Sequence, residues 1–287
     1  MPQEIRNISD TARWVAHYRA LESARTDALF NDHLAGRIAG ERGAAMARSM
    51  PESVQFAWAL AVRTRLLDDL INRLVAEDGL RFVVNLAAGF DTRPYRLPLP
   101  SGLRWIEVDL PALIAEKNEL LKDEKPRCQL ERVAIDLADD AARRALMTRL
   151  AAEPGPGLVL TEGLLVYLDP AQVAALGTDL ARLQAVRWWL CDLLSPKLLA
   201  MMSKRSGRLL LESGTPFKFA TDDPARFFAA LGWELRDFQG MFEGGHRLGR
   251  DMRLAWIWRF MMRFMSAKSQ EEARRMSGIG VLWRAEG

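Results

Sequence analysis

The sequence predicts an α/β fold, a mostly parallel sheet covered by helices on both faces. Two observations carry that expectation. Short apolar runs recur at Arg81–Leu86, Leu103–Val108, Gln129–Ile135, Leu158–Thr161 and Arg187–Leu193. Helix-like segments lie between them, at Pro111–Lys122, Asp139–Ala152 and Pro170–Gln184. A strand buried on both faces reads as such a run, and repeated strand–helix alternation implies parallel pairing through crossovers. At 287 residues, 49% of them hydrophobic, the chain can bury the core this fold needs.

Ahead of the first strand, residues 9–80 read as helical. Apolar residues fall at helical spacing through Ser9–Leu21 and again through Val54–Val75. Ser9 and Asp10 are candidate N-caps, Pro51-Glu52 suits an opening turn, and Asp78-Gly79 ends the region. Beyond Leu194, Pro196–Arg205 and Asp223–Leu231 suggest helices, and Trp233–Phe238 and Gly278–Arg284 suggest strands. No internal repeat or linker divides the chain. The expected layout is one domain: a helical extension over 1–79, a core over 80–195, and a C-terminal part over 196–287 with a helical lid.

Composition excludes several functions. Lys plus Arg number 40 against 37 Asp plus Glu, with no basic run of five, so a nucleic-acid partner is not expected. Two cysteines, Cys128 and Cys191, are too few for a disulfide framework or a four-cysteine zinc site. The three histidines are scattered, so no metal is expected either. The N-terminus lacks an apolar signal segment, and no run of about 18 apolar residues suggests a membrane span. A cytoplasmic location follows as the default. The stretch Arg253–Met265 mixes Trp, Met and Phe with Arg. It reads as a lid or core helix first, then as a partner surface or a membrane surface, with no stable membrane association expected.

Chemistry concentrates in Val83–Leu97, VVNLAAGFDTRPYRL. A buried strand runs into Ala87-Ala88-Gly89, where small residues let a ligand approach the backbone. Asp109 follows twenty positions after Gly89, at the end of the next strand. That spacing suits a carboxylate accepting hydrogen bonds from ribose hydroxyls. A dinucleotide would want a fuller glycine motif and a helix N-terminus for its pyrophosphate. Here Ala87 stands at the first glycine position, Pro94 interrupts the helix, and Asp91 opposes phosphate. A ligand with ribose, positive charge and no phosphate fits better. S-adenosyl-L-methionine has those properties.

Four motifs also resemble the leucine carboxyl methyltransferase family. NLAAGFDTRPYRL, WIEVDLP and LTEGLLVYLDP match in order, preceded by SDTARWVAHYRALESARTDALFNDHLAG. The likeness is to a bacterial branch similar to polyketide (tetracenomycin-type) carboxyl methyltransferases. It implies a class I methyltransferase sheet of seven strands with the last antiparallel. It also implies S-adenosyl-L-methionine as donor and a small, polyketide-like acceptor. Ala87, Gly89 and Asp109 then take the donor, Asp136-Leu137 flank its adenine, and Glu162 meets its methionine part. Arg63 is expected at the donor carboxylate, and Arg19 matches a basic position of the N-terminal helix.

Other roles remain open for several of these residues. Asp109 can cap the helix from Pro111, Asp91 can make a turn bond to Thr92 or Arg93, and Asp136 can cap the helix near Asp139. Tyr167 either orients the acceptor or packs. A carboxylate acceptor is already ionised and needs no base, whereas a phenol benefits from one. The rival functions are a nucleotide-dependent oxidoreductase and a non-catalytic donor-binding protein. Oligomeric state is not legible.

Overall fold

The computed structural model describes residues 8–49, 57–203 and 216–284. Three helices open the chain: α1 (Ile8–Ser23), α2 (Ala35–Ser49) and α3 (Ala57–Glu77). α1 is described from Ile8, so Ser9 and Asp10 fall in its first turn and not ahead of it. Asp10 is buried and pairs with Arg42 across α1 and α2. Pro51-Glu52 lies outside the described residues.

Five strands and their crossovers follow: β1 (Phe82–Leu86), α4 (Arg93–Arg96), β2 (Arg104–Asp109), α5 (Pro111–Leu120), β3 (Gln129–Ala134), α6 (Asp140–Leu150), β4 (Gly157–Thr161), α7 (Pro170–Ala181) and β5 (Val186–Leu194). α8, described over 196–203, precedes α9 (Pro224–Ala229), β6 (Trp233–Gly240), α10 (Met241–Arg247), α11 (Ala255–Met262), α12 (Ala267–Arg274) and β7 (Ser277–Arg284). All seven expected strands form, each within two residues of the bounds read from the sequence. α10 and α12 were not expected.

The strand order is β3-β2-β1-β4-β5-β7-β6, with β7 antiparallel to both neighbours. Side chains alternate across the sheet. Phe82, Val84 and Leu86 pack with α6, α7 and α9, while Val83, Trp105 and Leu158 pack under α3. Each of these apolar side chains contributes about 1.5–3 kcal/mol by leaving water. Chain order reverses between β1 and β4, and the carboxyl ends of β1, β2, β4 and β5 share one edge. Ligands of open α/β sheets bind at that reversal.

Candidate active site

Beyond β1 the chain turns sharply. Ala87 has φ 56° and Gly89 φ 50°, both in the left-handed region. An L-residue pays roughly 1–2 kcal/mol to stay there, so Ala87 holds a conformation that glycine would adopt without strain. The turn aims the Gly89 N–H at Asp109 Oδ2, 2.7 Å away. Asp109 Oδ1 accepts from the Leu110 N–H at 2.7 Å. Each carboxylate oxygen keeps a second acceptor site. Burial pushes the Asp109 carboxyl above its ordinary pKa, against the pull of the two N–H groups and Lys117. The Leu110 bond fastens the start of α5, so one carboxylate both ties the helix and faces the cavity.

A chain of ion pairs runs behind this turn. Arg93 is 2% exposed; its Nε donates to Asp68 at 2.7 Å, and its Nη1 donates to Asp91 at 3.0 Å and to Glu162 at 2.7 Å. Arg96 donates twice to Asp68. Arg63, from α3, donates Nε to Glu162 at 2.9 Å and Nη1 to Asp192 at 3.0 Å. Asp192, ending β5, also accepts from the Gly163 N–H. Arg63 Nη2 is bonded to none of the described residues, which leaves it for a carboxylate.

These contacts set the charges. Burial raises the Glu162 carboxyl, but Arg93 and Arg63 outweigh it and hold Glu162 below the ordinary range. Burial is likewise outweighed at Asp91, where Arg93, Lys117 and Arg96 bring the carboxyl down to about 2. Asp91 also accepts from Asn85 Nδ2 and the Arg93 N–H. The expected turn bond to Arg93 is therefore present, and the charge of Asp91 is answered inside the protein. At Asp192 burial wins and the carboxyl rises.

The remaining expected residues lie around the same cavity. Asp136 Oδ1 accepts from the Ala138 N–H, while Asp139 caps α6 by accepting from Ala141 and Ala142. The expected cap thus belongs to Asp139, and Asp136 with Leu137 lines the cavity. Arg19 donates to Asp32 and to the Phe90 carbonyl oxygen, bracing the β1 turn from α1. Tyr167 ends a short 3₁₀ turn (Leu165–Tyr167) and packs against Phe217 with ring centroids 5.4 Å apart. Burial pushes its hydroxyl up to about 12, so it stays protonated at neutral pH.

One cavity of about 1660 Å³ is lined by all ten expected site residues: Arg19, Arg63, Ala87, Gly89, Asp91, Asp109, Asp136, Leu137, Glu162 and Tyr167. Single small-molecule sites usually occupy about 300–1,000 Å³, so there is room for a donor and an acceptor together. Much of the rest of its wall is apolar, with Trp14, Trp58, Phe217, Phe242, Met252 and Trp258, interrupted by Lys218 and Arg253. His17, His33 and His246 all lie outside this lining. Sequence reasoning missed Arg93, Arg96, Asp68 and Asp192. Two signals were present: TRPYR sets two arginines in a turn beside a buried strand, and Asp192 interrupts the apolar run of β5.

The strand order is that of a class I methyltransferase, and the family and relatives below make the chain an S-adenosyl-L-methionine-dependent methyltransferase. The chain belongs to the leucine carboxyl methyltransferase family, whose profile matches residues 12–181. A Streptomyces coelicolor relative, named "Putative S-adenosyl-L-methionine-dependent methyltransferase", is 34% identical over 250 residues, covering 78% of this chain and 82% of that one. A Parafrankia relative with the same description is 40% identical over 189 residues, covering 62% of this chain and 60% of that one, less than two thirds of its length. A solved structure from Thermobifida fusca, titled a "putative methyltransferase", shares the fold with TM-score 0.57 at 14% identity, covering 98% of this chain and 95% of that one. Among the described residues no helix is long and apolar enough to cross a membrane.

Proposed function

We propose that the protein transfers a methyl group to an oxygen of a small, largely apolar acceptor, with a carboxylate oxygen as the favoured nucleophile. The observation that carries this reading is one cavity with two unlike ends. A charged, hydrogen-bonding end sits at the sheet edge, and an apolar chamber of Trp, Phe and Met lies beyond it. The charged end suits S-adenosyl-L-methionine group by group. The free acceptor sites of Asp109 suit ribose hydroxyls, Glu162 an ammonium, Arg63 Nη2 a carboxylate, and Asp136-Leu137 the adenine edge.

Bound there, S-adenosyl-L-methionine supplies a methyl group already activated on a sulfonium. The chain's own residues then align, desolvate and exclude water. A carboxylate acceptor loses no proton, whereas a hydroxyl must lose one. No histidine faces the cavity, Tyr167 is protonated at neutral pH, Glu162 and Asp91 are held by arginines, and Asp192 is engaged by Arg63 and the Gly163 N–H. That wall favours an oxygen that arrives ionised. A polyketide-like acid and a cytoplasmic location belong to the same reading.

Calorimetry with S-adenosyl-L-methionine and with its demethylated product tests the donor half, and failure to bind either sinks it. Label transfer to matched panels of apolar carboxylic acids and phenols tests the acceptor half. Transfer to acids is expected; transfer to phenols alone would overturn the carboxylate choice.

A further inference from the structure

The outer side of α11 is unlike the rest of the surface. Seven large hydrophobic residues are exposed among the described residues, and five lie within 254–264: Leu254, Trp256, Phe260, Met261 and Phe264. Phe264 is 77% and Trp256 65% exposed. Trp256, Phe260 and Phe264 recur every four residues, so they form one stripe along α11 and the turn after it. Phe260 and Phe264 touch edge to face, 5.1 Å between centroids. Leu254 and Trp258 instead line the cavity. A residue two positions from Trp256 points to the other side of a helix, so the stripe faces away from the cavity.

Basic residues flank the stripe along the chain. Arg263 and Lys268 are exposed and Arg259 is held by Asp251 at 2.8 Å. A short helix with an exposed aromatic stripe and basic flanks has the makeup of an interfacial helix. Aromatic rings suit the headgroup level, and basic side chains answer anionic lipid. Exposed Leu254 and Met201 also line the cavity, so its mouth adjoins the stripe.

We propose that the Trp256–Phe260–Phe264 stripe of α11 docks reversibly on an anionic lipid bilayer, setting the cavity mouth beside the membrane. The docking is peripheral and separate from the donor site.

Vesicle sedimentation of the full chain tests this, with phosphatidylcholine alone against phosphatidylcholine carrying about one third phosphatidylglycerol. At low salt we expect roughly tenfold tighter partitioning to the anionic vesicles, weakening as salt rises. Phe260→Ser with Phe264→Ser should abolish it while donor binding by calorimetry stays unchanged. If that variant misfolds, Arg263→Glu with Lys268→Glu should reduce it roughly tenfold. Equal partitioning to both vesicle types, no partitioning, or partitioning that survives both double variants overturns the proposal. So does ultracentrifugation showing a dimer that Phe260→Ser with Phe264→Ser dissolves.

Discussion

Around the ends of β1, β4 and β5, Arg63, Arg93 and Arg96 are bonded to Asp68, Asp91, Glu162 and Asp192. Across the cavity, the wall is made of Trp58, Phe242 and Trp258, rings that touch at 5.6 and 6.3 Å with no hydrogen bond between them. The donor end is held by directional, charge-assisted contacts that fix positions closely. The acceptor end is held by area and shape, which tolerate rearrangement. In the proposed function the charged end takes the donor, and the apolar end can change its occupant without disturbing it. Substitutions on each side test that division.

The largest effect is expected at Arg93. Arg93→Met leaves Asp68, Asp91 and Glu162 short of a cation inside the protein. Removing one partner of a buried ion pair costs about 3–5 kcal/mol. Urea unfolding should show a loss in that range, and the folded remainder should bind donor weakly. A loss below about 1 kcal/mol would mean that the network is ornamental, and the contrast between the two ends would fail. Asp109→Ala comes next. Losing the ribose contact should weaken donor binding by about 1.5–3 kcal/mol, the range for hydrogen bonds to a charged group. Calorimetry on the folded variant checks it, and unchanged affinity would remove Asp109 from the donor site.

Acid should loosen the donor end through Asp91. Its carboxyl stands at about 2 in the fold against an ordinary 3.8. A depressed pKa stabilises the fold above the ordinary value, and that stability is lost as pH falls through the folded value. The window is therefore about pH 4 down to about 2, and the loss is roughly 2 kcal/mol. Asp192 works with opposite sign, because burial raises its carboxyl and protonation relieves it. Asp91→Asn isolates the first effect. Its urea midpoint should fall less steeply than that of the unsubstituted protein below pH 4, and parallel curves would refute the assignment.

The same division explains what could be read in advance. β1, β2, β4 and β5 were legible because buried parallel strands are local apolar runs. The turn and carboxylate that line the cavity were legible because a small-residue turn and a strand-end carboxylate sit at a fixed spacing, here Gly89 and Asp109. Arg93 was missed because its partners Asp68 and Glu162 are 25 and 69 residues away in the chain. Nothing local marks an arginine as buried when the neutralising carboxylates come from other elements. α11 was anticipated as a lid, and its inner side does line the cavity, yet Trp256, Phe260 and Phe264 face outward. An aromatic-rich segment does not say which of its sides is covered.

On the acceptor side, Trp258→Ala should spare the donor. Trp258 packs against Phe242 and lines the cavity. Aromatic pairs contribute about 0.5–1.5 kcal/mol beyond buried area, so kcat/KM for an accepted substrate should fall about tenfold. Donor affinity should stay within about twofold. Equal losses for donor and acceptor would show that the two ends are coupled.

The smallest expected effect is the most specific to the donor turn. Ala87 holds φ 56° at the end of β1, where a Cβ is strained. Ala87→Gly removes that strain, about 1–2 kcal/mol, but gives the unfolded chain more freedom, which returns about 0.4–1 kcal/mol. The net expectation is a gain of between zero and about 1.6 kcal/mol in urea unfolding, with donor affinity unchanged or slightly improved. Were Ala87→Gly destabilising, backbone strain at Ala87 would not be the dominant effect at this position. The turn would then have to be held by contacts of the Ala87 methyl group, and the donor end would depend on packing as the acceptor end does.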